Sequence, residues 1–186
     1  MVLIIGGSGV GKTYILQNID KIGDRYEVVK KYTTRKARKN EDPNDTIDLY
    51  LNCSKEDVCA CEYSYKYREE WYGFNKRDIE VILNRNHTPL FVVRRMDTIC
   101  RLKKEYPESK VLLCKSGLNR QELFEYLLKK GNSVQDLEKR LDEKYEVESR
   151  LEYEKYSHLI DYCVTNNYDE KFLDEIKMCI QNRFLL

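Results

Sequence analysis

Long hydrophobic runs are missing from this sequence. Its longest apolar stretches, such as Met1–Ile5 and Leu90–Val93, fall far short of the roughly 20 residues that a membrane-spanning helix needs. Met1–Ile5 leads straight into glycines, so it does not read as a signal peptide, and a cytoplasmic protein is expected. An excess of one charge is missing too. With 33 basic and 32 acidic side chains the net charge is +1, which removes any global case for binding nucleic acid or a membrane surface. Histidine is scarce: the 2 present, His87 and His158, have no partner pattern and read as structural or exposed. Cysteine is not scarce, but its number is odd, at 7, with no CxxC pair. Cys59 and Cys61 lack a second half with ligand spacing, so neither a disulfide framework nor a zinc site is expected. Reduced thiols fit best.

What is present fits one α/β domain. The 186 residues are 41% hydrophobic, enough for a core but too few for two ordinary domains. Continuous apolar runs at 2–5 and 90–93 read as buried parallel strands, and 26–31, 110–114 and 160–164 as further strands. Helical patterns fall between them at 12–19, 76–84, 97–105, 119–130, 134–157 and 168–180. The 134–157 helix is long and charged, with i,i+4 pairs expected at Asp136–Arg140 and Glu146–Arg150. Ser54 and Asn75 are candidate helix caps, and the aromatic stretch 62–74 reads as strands or a hairpin. Residues 35–48 form a polar loop. Strands alternating with helices predict a parallel sheet covered on both faces.

The segment Gly6-Gly7-Ser8-Gly9-Val10-Gly11-Lys12-Thr13 satisfies GxxxxGK[ST]. Glycines let such a loop wrap tightly and turn its backbone N–H groups inward, toward phosphate. The helix that follows adds its positive end. Lys12 is placed to reach the β- and γ-phosphates, and the Thr13 hydroxyl to coordinate Mg²⁺. A match is expected on the order of once in 10⁴ start positions by chance. This one also sits between a predicted strand and a predicted helix. A nucleoside triphosphate, MgATP, is the expected ligand. The reaction stays open, because kinases, GTPases, ATPases and transporters all use this loop.

A second anion site is suggested by the basic residues Lys30, Lys31, Arg35, Lys36, Arg38 and Lys39, clustered in an otherwise neutral chain. Arg35 and Arg38 are spaced to grip one phosphate from two sides with guanidinium forks. The alternative is a solvated basic loop.

With Thr33-Thr34-Arg35-Lys36-Ala37-Arg38 following a P-loop, the sequence resembles the guanylate kinase family. There a TTRxxR segment holds the acceptor nucleotide's phosphate. Tyr50, Glu62 and the pair Tyr72-Gly73 fall where that family carries a tyrosine, a glutamate and YG. Lys129-Lys130-Gly131 matches its basic lid segment, and Arg140 in Leu137–Leu141 matches the arginine that reaches the transferred phosphoryl group. Cys163–Asn167 resembles the strand ending in asparagine near the adenine of ATP, which points to Asn166. The similarity runs over nearly the whole chain. It implies a three-layer α/β/α P-loop NTPase fold with small NMP-binding and lid subdomains. The core would be 1–31, 85–116 and 141–186, the NMP-binding region 32–84, and the lid region 117–140.

Three positions and one spacing depart from the family pattern. Lys31 stands where a serine is usual, Phe74 where Ser or Thr follows YG, and Arg94 where an aspartate lies near base and Mg²⁺. Asp97 is close to that last position, and Glu62 to Tyr72 holds one extra residue. The phosphate grip is therefore retained while the base-reading set is changed.

The resemblance implies these roles. Lys12, Arg35 and Arg140 surround the transferred group. Gly7, Ser8, Gly9, Val10, Gly11, Lys12, Thr13 and Asn166 hold ATP, with Thr13 on Mg²⁺. Arg35, Arg38, Tyr50, Glu62 and Tyr72 hold the acceptor. Arg94 is added to the acceptor residues on its position alone, at the C-terminal end of an apolar strand run where ligands bind. Phosphoryl transfer asks mainly for positioning and charge neutralisation. For Arg140 the alternative is a surface ion pair; for Tyr50 and Tyr72, packing; for Arg94, solvation at the sheet's C-terminal edge. The expected activity is ATP-dependent phosphorylation of a nucleoside monophosphate, GMP or dGMP. Lys30-Lys31 ahead of Thr34-Arg35 also resembles ribose 1,5-bisphosphate kinases. A binding module that has lost catalysis is the third possibility, and the intact Gly11-Lys12-Thr13 argues against it. No nucleic-acid or membrane partner is expected.

Overall fold

A computed structural model describes residues 1–37, 42, 44 and 46–181. In chain order its elements are β1 (Val2–Gly6), α1 (Lys12–Gln17), α2 (Ile19–Ile22), β2 (Tyr26–Val28), β3 (Lys31–Thr33), β4 (Leu49–Tyr50), α3 (Lys55–Cys59), β5 (Tyr65–Tyr67) and β6 (Glu70–Gly73). There follow α4 (Lys76–Asn84), β7 (Thr88–Val92), α5 (Met96–Glu105), β8 (Lys110–Ser116), α6 (Arg120–Lys129), α7 (Val134–Arg140), α8 (Glu143–Lys155), β9 (Tyr162–Asn166) and α9 (Lys171–Gln181).

The continuous apolar runs pair as a five-stranded sheet in the order β2-β7-β1-β8-β9. Every pairing in it is parallel. β1 is buried along its whole length, as a central strand covered on both faces must be. Leu3, Ile5, Phe91, Val93, Val111 and Leu113 pack on one face with side chains of α4 and α5. Val2, Ile4, Leu90, Val92, Leu112 and Val164 pack on the other with those of α1 and α9. The period of 2 along each strand thus divides one sheet between two cores.

A second, four-stranded sheet has the order β4-β3-β6-β5, with β3 and β4 parallel and the β5–β6 hairpin antiparallel. It claims part of what the sequence reads as one strand. The 26–31 run divides because Val29 still donates to Leu90 of the parallel sheet, whereas Lys31 and Tyr32 pair with β4 and β6. The expected 134–157 helix also divides. The Asp142 side chain accepts from the backbone N–H of Lys144 and caps a new helix, so α7 and α8 are separate. Asp136 and Arg140 pair at 3.1 Å as expected, while Arg150 lies 4.0 Å from Glu154 and not against Glu146. Ser54 and Asn75 cap α3 and α4 through their side chains.

All five parallel strands point the same way. Residues after β1, β7, β8 and β9 therefore meet at one edge, where ligands of open α/β sheets bind. Among the described residues no helix is long and apolar enough to cross a membrane.

Candidate functional site

The glycine loop joins β1 to α1 at this edge. Gly9 and Gly11 adopt φ of +80° and +95°, where a side chain would be strained. Space is short as well, so that a side chain would have to displace its neighbours. A Cβ on Gly11 would come within 2.5 Å of Asn166 Nδ2, and one on Gly9 within 2.8 Å of Leu127 Cδ1. The loop is held from outside. Asn166 Nδ2 donates to Val10 O at 3.3 Å, and Asn166 Oδ1 accepts from the Tyr168 N–H at 2.7 Å. The Tyr168 hydroxyl lies 3.3 Å from Gly9 O and 2.9 Å from Ser116 Oγ. Asn166 is buried with both ends of its amide in use. Asn166, expected near the adenine, is thus bonded to the glycine loop from outside. Tyr168 shares that task, and its φ of +62° left no mark in the sequence.

Lys12 is buried, and its Nζ donates to Gly6 O at 2.7 Å and to Gly7 O. Burial holds its pKa well below the usual lysine value, with Arg94, Lys31 and Arg140 pushing the same way and Cys114 opposing. Gly11 provides no side-chain cap for α1, and no acidic residue lies in its first turn. Orphan amides there meet no carboxylate of this helix. Thr13 is exposed. Among the described residues no group of three or more His, Cys, Asp or Glu could hold a metal ion. A Mg²⁺ ion would therefore depend on the Thr13 hydroxyl together with phosphate oxygens, a hard-oxygen set that suits it.

Lys31 begins β3 and is likewise buried. Its Nζ donates to Asp48 Oδ2 at 2.8 Å and to Val92 O at 2.9 Å. Burial lowers the Lys31 pKa, and Asp48 partly restores it. For Asp48, burial pushes the pKa up, but Lys31, Arg94 and Arg35 together hold it below the usual range. Arg94, just past β7, donates to Gly6 O at 3.4 Å and lies 5.5 Å from the Tyr67 ring centroid. It stands between the P-loop and the Lys31–Asp48 pair. The Arg35 N–H donates to Thr33 Oγ1 at 3.1 Å. Asp48, unremarkable in a polar loop, is the acidic group here. Asp97 instead accepts from the Thr98 N–H at 2.7 Å beside Arg95.

Other expected acceptor residues are dispersed. Arg38 lies outside the described residues. Tyr50 is exposed, 4.8 Å from the Tyr32 ring, and Tyr72 stacks on Tyr65 at 5.6 Å. The Glu62 carboxylate is drawn to the start of α4, where it accepts from the Lys76 N–H at 2.9 Å. Its pKa is lowered, chiefly by the hydrogen bond from the Lys76 backbone N–H, with the Lys76 charge adding to this. In this arrangement Glu62, expected on the acceptor, is a helix-end acceptor. Phe74 is fully buried, edge-on to Phe91 at 5.1 Å.

On the other side of the P-loop, Arg140 Nη1 donates to Asn132 Oδ1 at 2.8 Å and to Asp136 Oδ2 at 3.1 Å. The guanidinium is close enough to Lys12 to depress its pKa. A cavity of about 980 Å³ opens beside it, lined in part by Gly7, Ser8, Tyr67, Arg68, Arg140 and Tyr153. Arg35, Tyr50, Glu62, Tyr72 and Arg94 do not line it. Lys129 and Lys130 are exposed.

No protein-family model and no curated protein sequence matches this chain. A solved structure does: the crystal structure of guanylate kinase from Anaplasma phagocytophilum aligns with a TM-score of 0.69. The alignment covers 100% of this chain and 87% of that one, at 16% identity. The likeness is one of fold: a parallel five-stranded sheet flanked by helices, the P-loop NTPase fold as guanylate kinase has it.

Proposed function

We propose that this protein transfers the γ-phosphoryl group of MgATP to the phosphate of a nucleoside monophosphate, GMP or dGMP, giving the diphosphate and ADP. The observation that carries this reading is the convergence of cations at the sheet edge. Lys12 feels Arg94, Lys31 and Arg140, and Lys31 in turn feels Arg94 and Arg35. Asp48 and Asp136 offset part of this charge, and arriving anions would offset more. Two phosphate-bearing ligands would do so. The P-loop takes the donor, with Lys12 on the β- and γ-phosphates, and Arg35 with Arg38 takes the acceptor. An acceptor phosphate oxygen attacks the γ-phosphorus as the bond to the β–γ bridging oxygen breaks. Arg140 would leave Asp136 to meet the charge moving between them. Bound Mg²⁺ supplies further neutralisation of the triphosphate, with Thr13 as its protein ligand. In this reading residues 32–84 form the acceptor region, 117–140 the lid, and 1–31, 85–116 and 141–186 the core.

A second reading is favoured by the withdrawn base-reading positions. Lys31 is committed to Asp48, Phe74 to the core and Glu62 to α4. A small phosphorylated acceptor without a base, of the ribose 1,5-bisphosphate kind, would need none of them. A coupled assay of ADP release against GMP, dGMP, AMP, UMP and ribose 1,5-bisphosphate decides. Turnover with GMP or dGMP supports the first reading. Turnover with ribose 1,5-bisphosphate alone replaces it with the second, and ATP binding without transfer to any acceptor refutes both. Arg35→Ala is expected to raise the acceptor KM by roughly 10- to 100-fold, as for a lost charged phosphate contact. The KM for ATP should stay within about twofold, which initial-rate kinetics will show.

A further inference from the structure

The β5–β6 hairpin turns at Arg68, which adopts φ of +56°. A non-glycine residue pays for that left-handed conformation, yet an arginine stands there. Its side chain crosses to a different part of the chain. Nη1 donates to Lys139 O at 2.7 Å and Nη2 to Arg140 O at 3.1 Å. The guanidinium carbon also lies 4.2 Å from the Tyr145 ring centroid at the start of α8. The two carbonyls belong to the last turn of α7, where carbonyls have no partner within the helix. A cationic fork at that negative end is favourable. Arg68 therefore ties the hairpin that carries Tyr67 and Tyr72 to the backbone of Arg140 itself. Both Arg68 and Arg140 line the cavity that reaches Gly7 and Ser8 of the P-loop. The Nε atoms of both are buried without an acceptor among the described residues.

We propose that Arg68 is a positioning residue. It fixes the end of α7 so that Arg140 stands over the P-loop, and it links that placement to the hairpin on the acceptor side. The fork and the Tyr145 face form one latch between two segments 71 and 72 residues apart in sequence. The role of Arg140 in transfer rests on the function proposed above; the latch rests only on the contacts.

The informative substitution is Arg68→Gly, because glycine accepts the left-handed φ at no cost and the fold should not suffer. Hydrogen exchange of the full chain, its thermal midpoint and steady-state kinetics are compared with wild type. The latch predicts exchange at least about tenfold faster in residues 134–147, unchanged exchange in α9 and the parallel sheet, and an unchanged midpoint. It also predicts kcat lower by about 10- to 100-fold, as for misplacement of a charged group by about an ångström, with the KM for ATP nearly constant. Arg68→Lys keeps the charge but not the fork and should restore only part of kcat. Unchanged exchange in 134–147 overturns the proposal. So does a uniform rise across the chain with a lower midpoint, which a merely structural arginine would give. If wild type phosphorylates no acceptor, the kinase reading fails, while exchange and midpoint still decide the latch.

Discussion

Lys12→Ala is expected to lower phosphoryl transfer by at least 10²- to 10³-fold, roughly the cost of removing one preorganised donor from a developing charge. The ammonium is buried at the start of α1, bonded to Gly6 O and Gly7 O. It needs only to turn from those carbonyls to meet a phosphate in the loop. Arg94 is another cation on the loop, at 3.4 Å from Gly6 O, and it sits with Lys31 and Asp48. It does not replace a donor that rises from the helix. The loss should not come from unfolding. Burial holds the folded pKa of Lys12 below its unfolded value. The charged lysine therefore costs stability at every pH below that folded pKa, and the cost fades as pH rises through the unfolded value. Lys12→Met, which keeps the apolar stem, should thus be at least as stable as wild type near neutrality while equally inactive. Thermal melts beside the assay will test this. A large fall in the melting midpoint of Lys12→Met would contradict it.

Asp48→Asn is expected to cost about 3–5 kcal/mol of stability, the usual penalty for breaking a buried ion pair from one side. The side chains of Lys31 and Asp48 are only 5% and 16% exposed. Without the carboxylate, the buried Lys31 amine would be left with the Val92 carbonyl, 2.9 Å away, and no countercharge. The pH dependence has a definite sign. The folded pKa of Asp48 is lowered, so its stabilisation is complete above the ordinary carboxylate range, near pH 4, and fades as pH falls through the depressed value. The gap between wild type and Asp48→Asn should therefore close in acid. Replacing both partners by apolar residues, Lys31→Met with Asp48→Leu, should recover most of the stability. Urea melts of the three proteins at pH 7 and pH 3 measure this directly.

These two residues mark what was legible in the sequence. The P-loop could be read because its chemistry is local: glycines, a lysine and a threonine at fixed offsets between an apolar run and a helix. The five parallel strands could be read as apolar runs, and the start of α4 from Asn75. What was hidden depends on partners distant in sequence. Lys31 stands out as a departure from the family pattern, but its partner Asp48 lies 17 residues on, in a loop with no pattern of its own. Asn166 resembles a base-contacting asparagine, yet its amide holds a loop 156 residues earlier. Glu62 fits the family order but is taken by the N–H of Lys76. Two boundaries were missed for the same reason. The break after Val28 follows from β3 joining a second sheet, and the break before α8 follows from the cap at Asp142.

The central claim is that separate cation sets hold donor and acceptor. Calorimetric titration with a non-hydrolysable MgATP analogue, and then with the acceptor that the assay identifies, tests it most directly. The account predicts that Lys12→Ala loses the analogue and that Arg35→Ala binds it within about twofold of wild type while losing the acceptor. Equal loss of analogue binding in both variants would contradict the two-site arrangement.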